Sequence, residues 1–463
     1  MTIYEMLKMG RKPQFSAISF LRSALFASVL YGFWVEAYAE SEYTVRWVGD
    51  DSYGLEIAFK LPPDEGAAGR KLAARGVAWG LHQQVESPRC EGGTEPLAKD
   101  GDGGWIAPEG CKEVIWTVSP PTMRDGTVDV SAQASVSMAQ RKWVLLSEPT
   151  SLLRVVEANS QQSTLRPADA GTELLGATPM DKGGWRVPAD NNAPEFFVVG
   201  TPGIEHRRVG DFTVRYVADD WQRVHHLGLM SSHAQALHYL GDVVYADTPV
   251  PERERALLVV WVGIDARHGR AGGAAGSRSF LANYMIGGDK NVPDHLAVTF
   301  MIMAHEQFHQ LADARRGELP ELPAWINESI AQYYGLRAMQ RAIHDAATAE
   351  KLIRQFIDPD REVEQRFAEV EGMFAIDRPR ALELAYRQGA TFWAELDRTL
   401  RVASDGASSL DEYIPGLLQM KFPEDGLLPQ AFLTQLRSWN DSRIEQAIMK
   451  YVGAAPDTEN SGR

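Results

Sequence analysis

The residue pattern predicts a multidomain chain, with an N-terminal all-β sandwich, then an α+β domain that ends in a helical C-terminal lobe. Three observations carry this. Period-two alternation of apolar and polar residues runs from Tyr43 to Leu146. A mixture of strand and helix patterns follows from about residue 195. Helix-spaced apolar residues then fill 340–452. A chain of 463 residues with 44% hydrophobic content can build two or three cores. Its net charge of −15 and pI of about 5.3 exclude the basic footprint of a nucleic-acid binder.

Residues 1–39 have the layout of a secretory signal. Lys8, Arg11, Lys12 and Arg22 are basic, Ser23 to Val35 is apolar, and Ala37-Tyr38-Ala39 is a small-residue cleavage site. The apolar run falls short of the roughly 20 residues of a membrane span. The expected mature protein is therefore exported, periplasmic or secreted, with no membrane partner after cleavage.

The sandwich is expected over 40–157. Tyr43–Val48, Gly54–Phe59, Val114–Val118, Val128–Val130 and Trp143–Leu146 are its candidate strands. Trp47, Trp105 and Trp116 are expected in its core. Cys90 and Cys111 are the only cysteines and stand 21 apart in a Gly-rich stretch, which predicts one disulfide in an oxidising compartment. A loop of that size implies about 3 kcal/mol of stabilisation. Ser, Gln, Gly, Pro, Asp and Asn dominate 158–194, which predicts a linker.

The α+β domain with its helical lobe is expected over 195–452. Phe196–Val199 and Phe212–Val217 suit strands, Asp219–Leu240 suits a long helix, and Ala256–Ile264 suits a buried strand. His225, His226, His233 and His238 fall in that helix and are expected to be surface or satisfied core groups. Gly269–Ser279 is Gly-rich and suits either a mobile loop with no role or a backbone edge that takes an extended peptide by strand addition. A helix is expected from Pro293-Asp294 to Gly317, and a second from Ala324 to Met339. Residues 453–463 suit a frayed tail.

The first of those two helices carries His305-Glu306-Gln307-Phe308-His309, an H-E-x-x-H motif. Residues four apart share a helix face, so both imidazoles can address one ion, with Glu306 beside them as a general base. Downstream comes Trp325-Ile326-Asn327-Glu328-Ser329-Ile330-Ala331, whose Glu328 follows His309 after eighteen intervening residues. The pair resembles the signature of the gluzincin metallopeptidases, with the aminopeptidase N-type and glycyl aminopeptidase families nearest. Tyr386-Arg387-Gln388-Gly389 is similar to the Y-x-K-G segment of the same enzymes. The resemblance rests on residues 305–390 and is weak before them.

That resemblance implies a thermolysin-like α+β zincin domain holding one zinc ion per chain. Its ligands would be His305, His309 and Glu328, its general base Glu306, and Tyr386 would stabilise the tetrahedral intermediate. Asn327 would help orient the ligands. It also implies a peptide or protein substrate. Three positions depart from the family: Ser329 replaces a glycine, Gln388 replaces a lysine, and Ala275 stands where an acidic residue grips the substrate's α-amine. The expected function is an exported zinc-dependent peptidase, with aminopeptidase activity as one form of it. The alternative is a non-catalytic peptide-binding protein that retains the zincin fold.

Overall fold

The computed structural model describes residues 41–48, 54–62, 69–79, 81–123, 134–138, 142–156, 163–189, 192–265, 272–286, 292–423 and 425–453. The expected signal, the strand Val128–Val130, the start of the Gly-rich stretch and the tail beyond 453 lie outside them.

Three sheets form the N-terminal part. The first has six strands, in the order Trp185–Val187, Ser163–Pro167, Glu42–Val48, Gly54–Lys60, Glu113–Val118 and Glu86–Cys90. Its alternation is the predicted one: Tyr43, Val45, Leu55, Ile57, Phe59, Val114, Trp116 and Val118 all point into one core. Tyr43 stacks on Phe59 at 4.4 Å and donates its hydroxyl to Leu153 O at 2.8 Å. Trp105 and Trp116 are buried, and Trp47 packs on the core edge. The Cys90–Cys111 disulfide is formed, with Cα atoms 5.7 Å apart.

The expected linker is corrected by this sheet. Residues 164–167 pair in parallel with Glu42–Val45, and 185–187 pair with 163–165. Turn-forming residues dominate the segment because its strands are short. Leu165 and Val187 supply its buried apolar groups.

The boundary at 195 is corrected as well. Phe196–Gly200 pairs antiparallel with Trp143–Ser147 in a four-stranded sheet. That sheet is buried on both faces, which is why Val144-Leu145-Leu146 and Phe196-Phe197-Val198-Val199 are continuous apolar runs rather than alternating ones. Val144, Leu146, Phe197 and Val199 face the first core. Leu145, Phe196 and Val198 face a second core with Val217, Leu258, Val260 and Leu281 of the α+β domain. One shared sheet therefore welds the sandwich to that domain.

The sheet of the α+β domain has five strands, ordered Ile204–Val209, Phe212–Ala218, Ala256–Asp265, Ser279–Ile286 and Gly273–Ala275. The three inner strands run parallel, and Gly273–Ala275 lies antiparallel at the edge. The expected single helix over Asp219–Leu240 is two helices, Trp221–His226 and Leu229–Val244. Gly228 divides them at φ +66°, a left-handed conformation that costs glycine little.

The motif helix spans Val292–Arg316 and the return helix Ala324–Ala342, with Gly317 closing the first at φ +60°. The two pack closely because position 335 lacks a side chain. A Cβ there would sit 3.0 Å from Met301 O and 3.1 Å from His305 Cβ. The return helix is then anchored to the helical lobe. Arg337 Nη1 donates to Asp397 at 3.1 Å and to Asp411 at 3.0 Å, while Trp325 stacks on Phe367 at 3.8 Å. Helices continue through Ser442–Tyr451, as expected. No helix among the described residues is long and apolar enough to cross a membrane.

Because position 335 faces the motif helix at His305, Gly335→Ala is expected to destabilise the chain by about 1–3 kcal/mol through overpacking. Denaturant unfolding checks this. An unchanged midpoint would contradict the close approach of the two helices.

Candidate metal centre

Three residues on two helices define the site. His305 and His309 lie one turn apart on the motif helix, and Glu328 comes back from the return helix, one residue past Asn327. His305 Nε2 and His309 Nε2 are 3.0 Å apart, and Glu328 Oε2 lies 3.5 Å and 3.8 Å from them. Ligands about 2.0–2.1 Å from a tetrahedral zinc would stand roughly 3.3 Å apart, so the spacing fits such an ion. This is the one group of at least three potential ligands that converges in this way among the described residues.

The surroundings orient these atoms. Asn327 Oδ1 lies 3.0 Å from His309 Nδ1. A hydrogen bond donated from that nitrogen leaves the lone pair of Nε2 facing Glu328. His305 Nδ1 is buried with no partner among the described residues, so packing sets this ring. Tyr386 meets it edge-on at 5.5 Å between centroids.

Burial pulls the His309 pKa down, but the Glu328 carboxylate, with Glu306 and Asp313, outweighs it and pushes the value up to about 9. Burial raises Glu328, yet its hydrogen bonds to both histidines hold it well below the usual carboxylate range. Without an ion, a proton on imidazole balances the carboxylate. With an ion, that charge would replace the proton.

Tyr386 sits in a π-helical turn, Ala385–Gly389, a distortion frequent at functional sites. Burial raises its hydroxyl pKa well above the ordinary value, and the Glu328 and Glu306 charges and a hydrogen bond to Glu328 add to the effect. The phenol therefore stays protonated and able to donate. Both substitutions noted in the sequence are absorbed here. Ser329 is buried, accepts from Trp393 Nε1 at 2.8 Å, and packs where Gly389 leaves room, since a Cβ at 389 would lie 2.3 Å from Ser329 Cβ. Gln388 accepts from Glu364 N at 2.8 Å and donates to Gln365 O.

The edge strand reaches this site. A Cβ at Gly273 would lie 3.3 Å from the Glu306 Cγ methylene and 3.2 Å from Leu281 O, so glycine gives the strand room to lie close against this side chain. Ala275 lies on the same strand, with no carboxylate of its own.

A buried relay behind the site escaped the sequence reading. Gln310 Nε2 donates to Gly276 O at 2.8 Å and Ser279 O at 3.0 Å. Its Oε1 accepts from Gln307 Nε2 at 2.8 Å. Gln307 Oε1 therefore accepts from His233 Nε2 at 3.0 Å, and His233 Nδ1 accepts from Tyr216 Oη at 2.8 Å. Each donor fixes the next, so His233 is one neutral tautomer. The relay ties the back of the motif helix to the turn beside the edge strand. The available signal was polar Gln307 and Gln310 on a helix otherwise built to be buried. Of the four expected histidines, His233 is the satisfied core group, and His225, His226 and His238 are exposed.

The folded chain refuses a proton at His233. Burial lowers its pKa from 6.5 to about 4, against the opposing pull of Gln307. The unfolded chain takes that proton near pH 6.5, so this contribution is complete above that pH and is lost as pH falls towards 4. About 3 kcal/mol is at stake. A His233→Gln protein should lose this part of the acid slope in urea unfolding between pH 7 and 4. Equal slopes in the two proteins would contradict the assignment. Separately, Asn327→Ala is expected to weaken zinc binding about tenfold in a competition titration.

Among solved structures, the chain is similar to an aminopeptidase N family protein from Idiomarina loihiensis, at 12% identity and a TM-score of 0.60. The match covers 90% of this chain and 76% of that one. At this identity the likeness is one of fold, and the fold is aminopeptidase N-like over most of its length. No protein-family model matches the chain, and no curated protein matches it.

Proposed function

We propose that this chain is an exported zinc-dependent peptidase that hydrolyses peptide bonds. The observation that carries the reading is the convergence of His305 Nε2, His309 Nε2 and Glu328 Oε2 within 3.0–3.8 Å of one another. Three protein ligands leave a fourth position open, the arrangement of catalytic rather than structural zinc. A zinc ion held there supplies Lewis-acid polarisation of the scissile carbonyl and acidifies water.

The chain's own residues do the rest. Glu306 stands one residue from His305, beside the edge strand at Gly273, and takes the proton of the attacking water at its carboxylate. It then returns that proton to the leaving amine. The Tyr386 hydroxyl, kept protonated, donates to the developing oxyanion. The edge strand offers backbone groups to an extended peptide. The disulfide supports an oxidising, exported setting.

Ala275 shapes the specificity. A substrate ammonium taken out of water needs a carboxylate partner, because an unpaired buried charge is costly. Alanine offers none. The peptidase is therefore expected to tolerate a blocked N-terminus.

Glu306→Gln should retain metal and lose at least about a hundredfold in kcat on a peptide library digest. Unchanged turnover would reject the general-base role. N-acetylation of a cleaved peptide should change kcat/KM by less than about threefold, given the cost attached to an ammonium left without a partner. A large loss would mean that another acidic group grips the amine.

A further inference from the structure

A cleft opens on the motif helix, and none of the metal ligands lines it. It measures about 790 Å³ and is lined by Asp220, Gln222, Arg223, His225, His226 and Leu227 on one side. Met285, His295, Leu296 and Thr299 close the other. His295, Thr299, Ile302 and Glu306 stand four, three and four residues apart, so they form one stripe along the helix. Ile302 and Glu306 are the two side chains against Gly273. The cleft therefore continues the line of the edge strand, and its near edge at Thr299 lies about 10 Å along the helix axis from the general base.

Its chemistry is rich in donors. Arg223 is exposed and its guanidinium has no hydrogen bond or ion pair among the described residues. His226 and His295 also line the cleft. Asp220 is the one acidic residue among the described lining, and it accepts from Arg223 N at 3.1 Å as the cap of its own helix. His225 is paired with Glu205 at 2.7 Å. Thr299 is 3% exposed and its hydroxyl has no partner among the described residues.

The edge strand gives the direction. Gly273 pairs with Ala282 and Ala275 with Phe280, so the N-terminal end of the edge strand lies towards Met285 and the cleft. A peptide added antiparallel to this edge points its C-terminal end into the cleft. At roughly 3.3 Å per residue, about three residues separate the scissile bond from it.

We propose that this cleft binds a carboxylate of the peptide substrate, about three residues to the C-terminal side of the cut, with Arg223 as its principal partner. The inference rests on the peptidase reading. Arginine meets carboxylates in a bidentate, charge-assisted geometry that an amide cannot match. The carboxylate belongs to the chain terminus or to an acidic side chain.

The test uses alanine-based hexapeptides with a free C-terminal carboxylate, a C-terminal amide, or an amide with Glu or Gln as the third residue past the cut. In the zinc-loaded protein, kcat/KM should favour an acid over its neutral partner by about tenfold. Arg223→Gln should bring that ratio near one, with an unchanged melting temperature. A preference confined to the terminal acid, or to Glu, identifies the source. A ratio near one in the parent protein, or an unchanged ratio in Arg223→Gln, overturns the proposal. Peptide affinities measured on Glu306→Gln separate the two readings. If the parent cleaves nothing yet the affinity ratio is about tenfold and depends on Arg223, the cleft stands and the peptidase reading fails. If it cleaves without an acid preference, the reverse holds.

Discussion

Three lone-pair atoms pointed at one another hold no stable arrangement by themselves. His305 Nε2, His309 Nε2 and Glu328 Oε2 lie within 3.0–3.8 Å, and something positive must sit between them. In the ion-free chain a proton on His309 serves. A dication serves better, since it satisfies all three atoms at once. Much of the fold works to keep this convergence. The return helix must approach the motif helix closely, which Gly335 permits, and it must be held from behind, which the Arg337 ion pairs and the Trp325 stack do. The motif helix in turn is fixed on its far side through Gln307, Gln310 and His233.

The N-terminal sheets matter to this centre although they carry none of its ligands. The turn Gly276–Ser279 comes after the edge strand, and residues on both of its sides grip it. Ser277 N donates to Pro194 O at 2.6 Å and Phe196 N donates to Ser279 Oγ at 2.7 Å, from the sandwich side. Gln310 Nε2 donates to Gly276 O and Ser279 O from the motif helix. The edge strand is thereby set against Glu306 by hydrogen bonds from two structural layers. A short Gly-rich strand would otherwise be poorly specified in register.

His305 and His309 were legible because helical geometry is local, and a spacing of four puts both on one face. Glu328 was legible only through the resemblance of Trp325–Ala331 to the gluzincin signature, since no spacing rule brings a second helix back to the first. The sandwich strands were legible locally, since one buried face imposes alternation at Tyr43, Val45 and Ile57. What escaped depends on pairing between distant segments. Phe196–Val199 gave no sign that its partner is Trp143–Ser147, because a sheet buried on both faces loses its period. Residues 163–187 passed for a linker because strands of three to five residues between turns carry little periodicity. The relay through His233 joins residues 74 apart at Gln307, and no spacing rule connects them. The three departures from the family motif also separate on contact. Ser329 and Gln388 are each hydrogen-bonded where they stand, whereas Ala275 removes a charge that nothing on its strand replaces.

The most direct test of the whole account is the zinc content of the chain from residue 40 onward, measured beside its Glu328→Ala variant. The account predicts about one zinc per chain, lost or greatly weakened in the variant, as expected for a site of three protein ligands. A protein that holds no zinc after reconstitution, or a variant that holds it as tightly as the parent, would contradict it.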